Sequence, residues 1–243
     1  MEQMPSNTPV MESKLGPAGW LQIWIKAVTK PSEQTFVDIT ESPDMSARMA
    51  YIWIFIAGTI TTIIQTFMLT IQRATGAGSI LKQIPGLEQY IPQTVGRGGG
   101  IGVLIGGLCF SPFAGLFYVL FFALGVAIIQ WIAKLFGGTG TYEKMLYAFA
   151  AISVPVAIVS SLFSLLGVVP FVGICTGLLS VGLVIYSLVL QVMAVKGVNR
   201  FGWGQAAGSV FLPGCVVFII CACIIFGGFM LLVPAIRNSN FSL

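Results

Sequence analysis

Histidine is absent from this sequence, and charged residues are scarce. Asp, Glu, Lys and Arg together make up only 8% of the 243 residues, whereas hydrophobic residues make up 56%. Soluble domains have about 25% charged residues, because their surface must be hydrated. The composition therefore excludes an ordinary soluble domain and favours a membrane protein. The missing imidazole also removes the most common general base and a common metal ligand.

Positive charge and cysteine are too sparse to indicate a nucleic-acid surface or a metal centre. The net charge is only +4, and most Lys and Arg residues flank apolar runs, as expected beside membrane spans. We expect no nucleic-acid partner and no cofactor. The cysteines all fall inside apolar runs, where we expect them to be buried as small hydrophobic side chains without a disulfide: Cys109, Cys175, Cys215, Cys221 and Cys223.

The longest stretch without charge predicts a membrane hairpin. Residues 145–195 contain no Asp, Glu, Lys, Arg or His. A single helix of that length would far exceed the ~30 Å hydrocarbon core at ~1.5 Å per residue. Gly167, Pro170 and Gly173 mark a tight turn in the middle. We therefore expect two antiparallel spans, 145–168 and 171–195.

Further apolar runs predict an all-α protein, a polytopic membrane helix bundle with about five transmembrane helices. We expect spans at 47–71, 112–136, 145–168, 171–195 and 205–234. They divide the chain into a cytoplasmic tail with an amphipathic helix (1–45), a transmembrane bundle (46–236) and a short tail (237–243).

The run that precedes the second span is ambiguous. Residues 101–136 are too long for one straight span and too short for two. Pro112 removes a backbone hydrogen bond and should kink or break the helix there. We expect a short leading segment, 101–110, and then the span 112–136. A re-entrant half-helix that borders a cavity is the alternative.

A short segment before the first span has the pattern of an interfacial helix. Apolar residues at positions 20, 21, 24, 25 and 28 recur at i, i+3 and i+4. Trp20 and Trp24, together with Lys26 and Lys30, suit a helix that lies in the plane of an anionic leaflet or contacts a partner. The alternative is a helix that packs on the cytoplasmic face of the bundle itself.

Small and polar residues within the spans predict close packing of helices. Gly173 and Gly177 are separated by four positions, a spacing that allows backbones to approach in lipid. Thr59, Thr66 and neighbouring Thr and Gln residues make the first span the most polar one. These side chains indicate either helix packing or, alternatively, a polar pathway.

Counts of Lys and Arg predict the orientation. With five spans and a cytoplasmic N-terminus, the cytoplasmic side would hold eight of these residues and the opposite side four. We therefore expect the N-terminus to be cytoplasmic and the C-terminus to lie on the other side of the membrane.

Several short motifs resemble those of prokaryotic Yip1-domain proteins. They are Trp24, Val28, Pro31 and Phe36 before the first span, the segment from Leu135 to Tyr142, and then Tyr147 and Val154-Pro155. The resemblance covers roughly residues 20–235. It implies a five-helix integral protein of a prokaryotic cell (inner) membrane, in which Tyr142, Tyr147 and Pro155 are structural positions. Gly173 and Gly177 are expected to be structural from their spacing. Eukaryotic relatives act in vesicle trafficking and bind small GTPases, but their acidic-Leu-Tyr-Gly-Pro motif is not found here.

The sequence favours a non-enzymatic function. Ionisable side chains are missing from the interiors of the expected spans, although catalysis or ion coupling in lipid normally requires them. We expect a scaffold, an accessory subunit of a membrane assembly or a bilayer-organising protein, with lipids and other membrane proteins or further copies of itself as partners. The alternatives are a transporter or channel for a neutral solute, indicated by the broken segment 96–112, and an intramembrane enzyme, which would have no evident base.

Overall fold

A computed structural model describes residues 16–75, 100–167 and 170–239. These residues form seven α-helices: α1 (Pro17–Thr29), α2 (Glu33–Glu41), α3 (Ala47–Thr75), α4 (Gly100–Leu135), α5 (Tyr142–Leu166), α6 (Pro170–Asn199) and α7 (Trp203–Ser239). Helix α7 includes residues 237–239, which the sequence assigned to the tail. The expected N-terminal tail and most of the loop between the first two spans lie outside the described residues.

Five of these helices, α3 to α7, are long and apolar enough to cross a membrane. The shortest, α5, has 25 residues, so that each exceeds the ~30 Å of a hydrocarbon core at ~1.5 Å per residue. The all-helical class and the number of spans are therefore confirmed. The expected hairpin is also present, because α5 ends at Leu166 and α6 begins at Pro170.

Helix α5 is the centre of the bundle and contacts α1, α2, α3, α4 and α6. Every residue from Met145 to Ile152 is buried. A helix that is apolar on all sides is stable where other helices or lipid surround it with apolar groups. The first half of α5 meets that condition because α1 and α2 cover it in addition to the neighbouring spans.

Helix α4 is continuous through Pro112, contrary to the expected break. Pro112 has no N–H group to donate to the carbonyl of Leu108, four residues earlier. The Ser111 hydroxyl instead donates to that same carbonyl oxygen over 2.8 Å. A serine next to proline can thus satisfy the acceptor that proline leaves open, which is how membrane helices tolerate proline. Residues 101–110 are therefore part of one long helix and not a separate segment.

The closest packing of spans occurs between α3 and α4, where glycines of α4 meet threonines of α3. A Cβ atom added to Gly107 would lie 2.3 Å from Thr66 Cγ2, and one added to Gly115 would lie 2.3 Å from Thr59 Oγ1. Both distances are far below van der Waals contact, so only glycine fits at these positions. Gly107 and Gly115 are eight residues apart and therefore lie on the same face of α4.

The glycine pair that the sequence indicated for close approach lies elsewhere. A Cβ added to Gly173 would meet the carbonyl oxygen of Gly167 at 2.9 Å, within the hairpin turn, whereas one added to Gly177 would meet nothing within 4 Å. Gly177 therefore allows no close approach among the described helices. Spacing by four is common in apolar sequence, and the spacing alone does not tell which face of a helix has a neighbour.

The threonines of α3 bond mainly within their own helix. Thr62, Thr66 and Thr70 each donate to the carbonyl four residues earlier, over 2.8 to 2.9 Å. Such bonds satisfy a hydroxyl inside lipid without any partner helix. Between helices, Ser161 Oγ of α5 lies 3.3 Å from Thr61 Oγ1.

The expectation that the cysteines are buried is wrong for all five. Each is exposed on the outside of the helices. In a soluble protein an apolar side chain avoids water only by burial, but on a membrane span the lipid supplies an apolar environment. Apolar character therefore did not imply burial within the protein.

Candidate functional site

Specific polar contacts between elements concentrate at one end of the bundle. This end, here called the charged end, comprises α1, α2, the loop between α4 and α5, and residues 196–203 at the junction of α6 and α7. The first turn of α3 and the first turn of α5 reach it as well. It is the side of the bundle that carries the N-terminal helices.

Helix α1 is fixed to the spans by a cluster of aromatic rings, in which Trp20 and Trp24 meet Trp53 edge to face. The ring of Trp53 in α3 lies 6.2 Å from that of Trp20, 5.6 Å from that of Trp24 and 5.0 Å from that of Tyr147, between centroids. Trp53 and Tyr147 are each only 1% exposed. Aromatic pairs at these separations contribute about 0.5–1.5 kcal/mol each beyond the area that they bury.

The same helix turns a second, apolar face outward. Leu21 is 55% exposed and Ile25 is 52% exposed. The two-sided pattern of α1 thus has one side on the bundle and the other side available to lipid or a partner. Helix α1 is also bonded at its C-terminal end, where the Tyr186 hydroxyl of α6 donates to the Val28 carbonyl over 2.5 Å.

Helix α2 is held by ion pairs from three other elements. Lys26 of α1 pairs with Asp38 at 3.4 Å, Lys196 of α6 pairs with Glu33, and Lys144 of α5 lies 3.8 Å from Glu41. Arg200, directly after α6, lies 2.5 Å from the same Glu41 carboxylate. Partly exposed pairs contribute at most about 1 kcal/mol each, so they orient α2 more than they stabilise it.

One of these carboxylates has a perturbed pKa. The Gln34 amide donates to Asp38 over 3.0 Å, and together with Lys26 it holds the pKa of Asp38 below its ordinary value, partly offset by desolvation. Hydrogen bonds and a nearby cation both favour the charged form of a carboxyl group. Asp38 is therefore ionised in the folded protein at neutral pH.

Beneath α2, two buried amide side chains join α4, the α4–α5 loop and α6. Gln130 Nε2 donates to the Gly140 carbonyl over 2.6 Å and to Asn199 Oδ1 over 3.1 Å. Asn199 Nδ2 donates in return to Gln130 Oε1 over 3.2 Å, and Gly140 N donates to Asn199 Oδ1 over 3.2 Å. Both side chains are at most 3% exposed. A buried amide pair this fully bonded fixes the loop rigidly.

The chain leaves α6 through a left-handed residue. Arg200 has φ 54°, a conformation that favours glycine. Its N–H group donates to the Lys196 carbonyl over 2.8 Å, as in helix ends that terminate with such a residue. This turn directs the guanidinium group of Arg200 to Glu41.

A polar cleft opens between these elements. It has a volume of about 280 Å³ and is lined by the last turn of α2, by residues 139–141 of the α4–α5 loop, by Lys144 and by the end of α6 including Arg200. Thr141 caps α5, and its Oγ1 accepts a bond from the Lys144 N–H group over 3.4 Å. The cleft thus has fixed walls, two cations and one carboxylate, Glu41.

The four residues predicted to contact a membrane surface or a partner have three different environments in the structure. Trp20 and Trp24 contact the bundle through Trp53, which matches the alternative in which α1 packs on the bundle itself. Lys26 pairs with Asp38, and Lys30 is exposed. The proposed surface role of these four residues stays a prediction.

Three of the positions predicted to be structural, Tyr142, Tyr147 and Pro155, lie in α5. Tyr142 donates to the Ala123 carbonyl over 3.2 Å, and its hydroxyl lies 3.3 Å from that of Tyr51, so that it joins α3, α4 and α5. Tyr147 contacts Trp53. Helix α5 continues through Pro155 without interruption.

Sequence reasoning missed Gln130, Asn199, Glu41 and Arg200 as a connected set. Two signals were present. Gln130 is the only amide or charged residue between positions 101 and 133, and four of the eight acidic residues fall between positions 33 and 44, opposite cations at the ends of spans. A polar residue alone within an apolar run normally has a partner.

No group of three or more His, Cys, Asp or Glu side chains that could hold a metal ion occurs among the described residues. A comparison with protein families matches the chain to the Yip1 domain over residues 25–225. The match includes α2 to α6 and most of the charged end. No curated protein and no solved structure matches the chain significantly.

Proposed function

Because the chain belongs to the Yip1-domain family of membrane proteins, we propose that it is a non-enzymatic scaffold or accessory subunit of a membrane assembly, or an organiser of the bilayer. The observation that carries this proposal is the difference in charge between the charged end and the sides of the membrane spans. Charges at the end are matched largely within the protein, whereas the sides of the spans are apolar and contain no charged residue between positions 101 and 133 or 145 and 195. Catalysis or ion coupling in lipid normally requires such residues.

The outward surface of α7 supports association within the membrane. Helix α7 contacts α6 and α4, and its other side exposes Phe211, Val217 and Phe218. Lipid chains cover such a surface in a monomer, and a helix of another protein or of a second copy covers it in an assembly. The partners that we propose are therefore membrane lipids together with one or more membrane proteins or further copies of this chain.

The distribution of Lys and Arg supports a cytoplasmic location of the charged end. This end carries Lys26, Lys30, Lys144, Lys196 and Arg200. Positive residues in short loops remain on the cytoplasmic side of a membrane. We propose a prokaryotic cytoplasmic membrane, because the motifs around Trp24, Leu135 and Pro155 resemble those of prokaryotic Yip1-domain proteins.

Helix α1 supports contact with a lipid surface or partner through two sets of residues. Leu21 and Ile25 point away from the bundle, and Lys30 is exposed beside them. Trp20 and Trp24 attach the helix to Trp53 and are themselves partly exposed. An apolar stripe flanked by lysine is the pattern of a helix at an anionic leaflet.

The test of the proposal is purification of the full-length chain in a mild detergent, with the co-purifying subunits identified by mass. An accessory subunit should bring a membrane complex in a constant ratio. The double variant Leu21→Gln with Ile25→Gln should lose a partner or vesicle contact that uses α1, whereas Gln22→Ala, on a neighbouring exposed position, should keep it. A chain that purifies alone and whose addition changes neither vesicle shape nor lipid packing would contradict the proposal.

Transport of a neutral solute is the alternative, and the structure gives it less support. The threonines of α3 donate to their own helix, and glycines of α4 pack directly against this face. A polar pathway there would need open space along the same side chains. Solute flux into proteoliposomes above that of empty liposomes would favour this alternative over the scaffold.

A further inference from the structure

We propose that the polar cleft of the charged end binds a phosphate group, held between Lys144 and Arg200 in competition with Glu41. The cleft has a volume of about 280 Å³, enough for a phosphate with its first substituents. This inference does not rest on the scaffold function, because it follows from the cleft itself.

The charge of the cleft favours an anion. Lys144 Nζ lies 3.8 Å from Glu41, and Arg200 lies 2.5 Å from the same carboxylate. The other lining side chains are neutral, so two cations share one internal anion and a net positive charge remains. The planar guanidinium group of arginine can donate two parallel hydrogen bonds to a phosphate, in bidentate geometry.

The walls of the cleft are fixed in advance of binding. Asn199 Oδ1 accepts from Gly140 N, and the Asn199 carbonyl accepts from Thr139 N over 3.3 Å. These bonds hold the α4–α5 loop against α6, so little ordering is needed when a ligand enters. The positive end of α5, a helix of 25 residues, lies at the same wall and adds to the attraction for an anion.

Glu41 would compete with a bound phosphate for Lys144 and Arg200. It is the last residue of α2, where the negative end of the helix disfavours a carboxylate. Its position is therefore explained by Lys144 and Arg200. A phosphate that approaches these two cations must displace the carboxylate, which would release two of the four ion pairs described for α2. Binding is thereby coupled to the position of α2.

The depth of the cleft allows a lipid phosphate to reach it. Residues 139–141 directly precede the span Tyr142–Leu166, and Arg200 directly follows the span Val172–Asn199. The ends of spans lie at the level of the headgroups. The phosphate of an anionic lipid and a free phosphate in solution are the two sources of the same chemistry.

The experiment measures binding to the full-length chain in an uncharged detergent and in phosphatidylcholine nanodiscs. The probes are inorganic phosphate and pyrophosphate by calorimetry, and phosphatidic acid by co-purification. Binding of phosphatidic acid alone assigns the site to a lipid, and binding of the soluble anions in detergent assigns it to free phosphate. Binding of neither overturns the proposal.

Matched variants test the competition. Lys144→Gln and Arg200→Gly should each weaken binding roughly tenfold or more, because a charged hydrogen bond is lost. Glycine is chosen at position 200 since it accepts the left-handed φ. Glu41→Gln should strengthen binding, whereas Lys134→Gln, which removes a nearby exposed cation outside the cleft, should leave it unchanged.

The sign of the Glu41 effect is the decisive result. Non-specific attraction would make Lys134→Gln as harmful as Lys144→Gln, and that outcome would overturn the site. Weaker binding by Glu41→Gln would overturn the competition. If Arg200→Gly does not fold, Lys144→Gln and Glu41→Gln still give opposite changes that can be compared.

Discussion

The charged end and the membrane-spanning body of this protein are held together by different kinds of contact. At the end, Gln130, Asn199, Glu41 and Arg200 form directional bonds between elements that are far apart in sequence. In the body, Gly107 and Gly115 of α4 approach α3 without any charged group. Water at the end allows charges to be solvated, whereas lipid leaves packing and short hydroxyl bonds as the main attractions.

The difference between the charged end and the body indicates which part of the molecule is suited to binding a ligand. The glycines of the body allow helices to approach closely, whereas the buried amide pair holds a loop in one shape through five hydrogen bonds, including one from Asn199 Nδ2 to the Val195 carbonyl. The α4–α5 loop that it fixes forms a wall of the polar cleft. The rigid α4–α5 loop thus lies next to the cleft, whereas the apolar sides of the spans are available to lipid or partner helices.

The largest effect is expected at the buried amide pair. Asn199→Leu keeps a similar size but leaves Gln130 Oε1 and the Gly140 N–H group without a partner, although Gln130 Nε2 still donates to the Gly140 carbonyl. Each unsatisfied buried group costs about 1–3 kcal/mol, so we expect a loss of roughly 2–4 kcal/mol in the free energy of unfolding. The unfolding temperature in detergent, followed by tryptophan fluorescence, measures this loss.

A double variant separates the lost bonds from changes in packing. Gln130→Leu combined with Asn199→Leu removes both amides and should be less destabilised than the sum of the single variants, because fewer groups remain unsatisfied. If Asn199→Leu unfolds at the same temperature as the wild type, the amide pair does not stabilise the charged end. The charged end would then be no more rigid than the body.

The sequence predicted the fold well because long apolar runs without charge directly indicate membrane spans. A run of 51 residues without charge, interrupted by Gly and Pro, has few solutions in a bilayer other than a hairpin. The prediction failed at Pro112 because the hydroxyl of Ser111 bonds the Leu108 carbonyl, a compensation that depends on a side-chain rotamer.

The candidate site was largely beyond prediction. Glu41 and Arg200 are 159 positions apart, and only the folded bundle brings them together. Glycine spacing pointed to Gly177 and missed Gly115, since a spacing of four does not tell which side of a helix meets a neighbour. The acidic residues between positions 33 and 44 are complementary in charge to the Lys and Arg residues at the ends of spans. This complementarity could have predicted that α2 packs there.

A smaller effect is expected in the body. Gly115→Ala places a methyl group 2.3 Å from Thr59 Oγ1 and 3.2 Å from the Phe55 carbonyl oxygen. Overpacking of this kind costs about 1–3 kcal/mol. Gly177→Ala, where the added atom meets open space, should be neutral or stabilising by up to about 1 kcal/mol, since alanine favours helices.

Thermal unfolding of the two glycine variants under identical conditions makes this comparison. Adding Thr59→Ala to Gly115→Ala should restore part of the loss, because the hydroxyl that clashes is gone. Equal unfolding temperatures for Gly115→Ala and Gly177→Ala would mean that α3 and α4 separate easily and that close packing does not hold the body.

The smallest effect is expected from the exposed Asp38 carboxylate at the charged end. The Gln34 hydrogen bond, and then Lys26, lower the pKa of Asp38 below its ordinary value of 3.8. A group whose pKa is lower in the folded state stabilises the fold above its unfolded pKa, and that contribution is lost as the pH falls through the folded value. The advantage of the wild type over Asp38→Asn in unfolding temperature should therefore be constant from pH 7 to about pH 5, begin to fall near pH 4 and disappear only once the pH is below the folded pKa. Gln34→Ala should reduce this advantage at neutral pH, since it removes the main cause of the lowered pKa. An advantage that persists unchanged at pH 3 would show that Asp38 acts through packing and not through its charge.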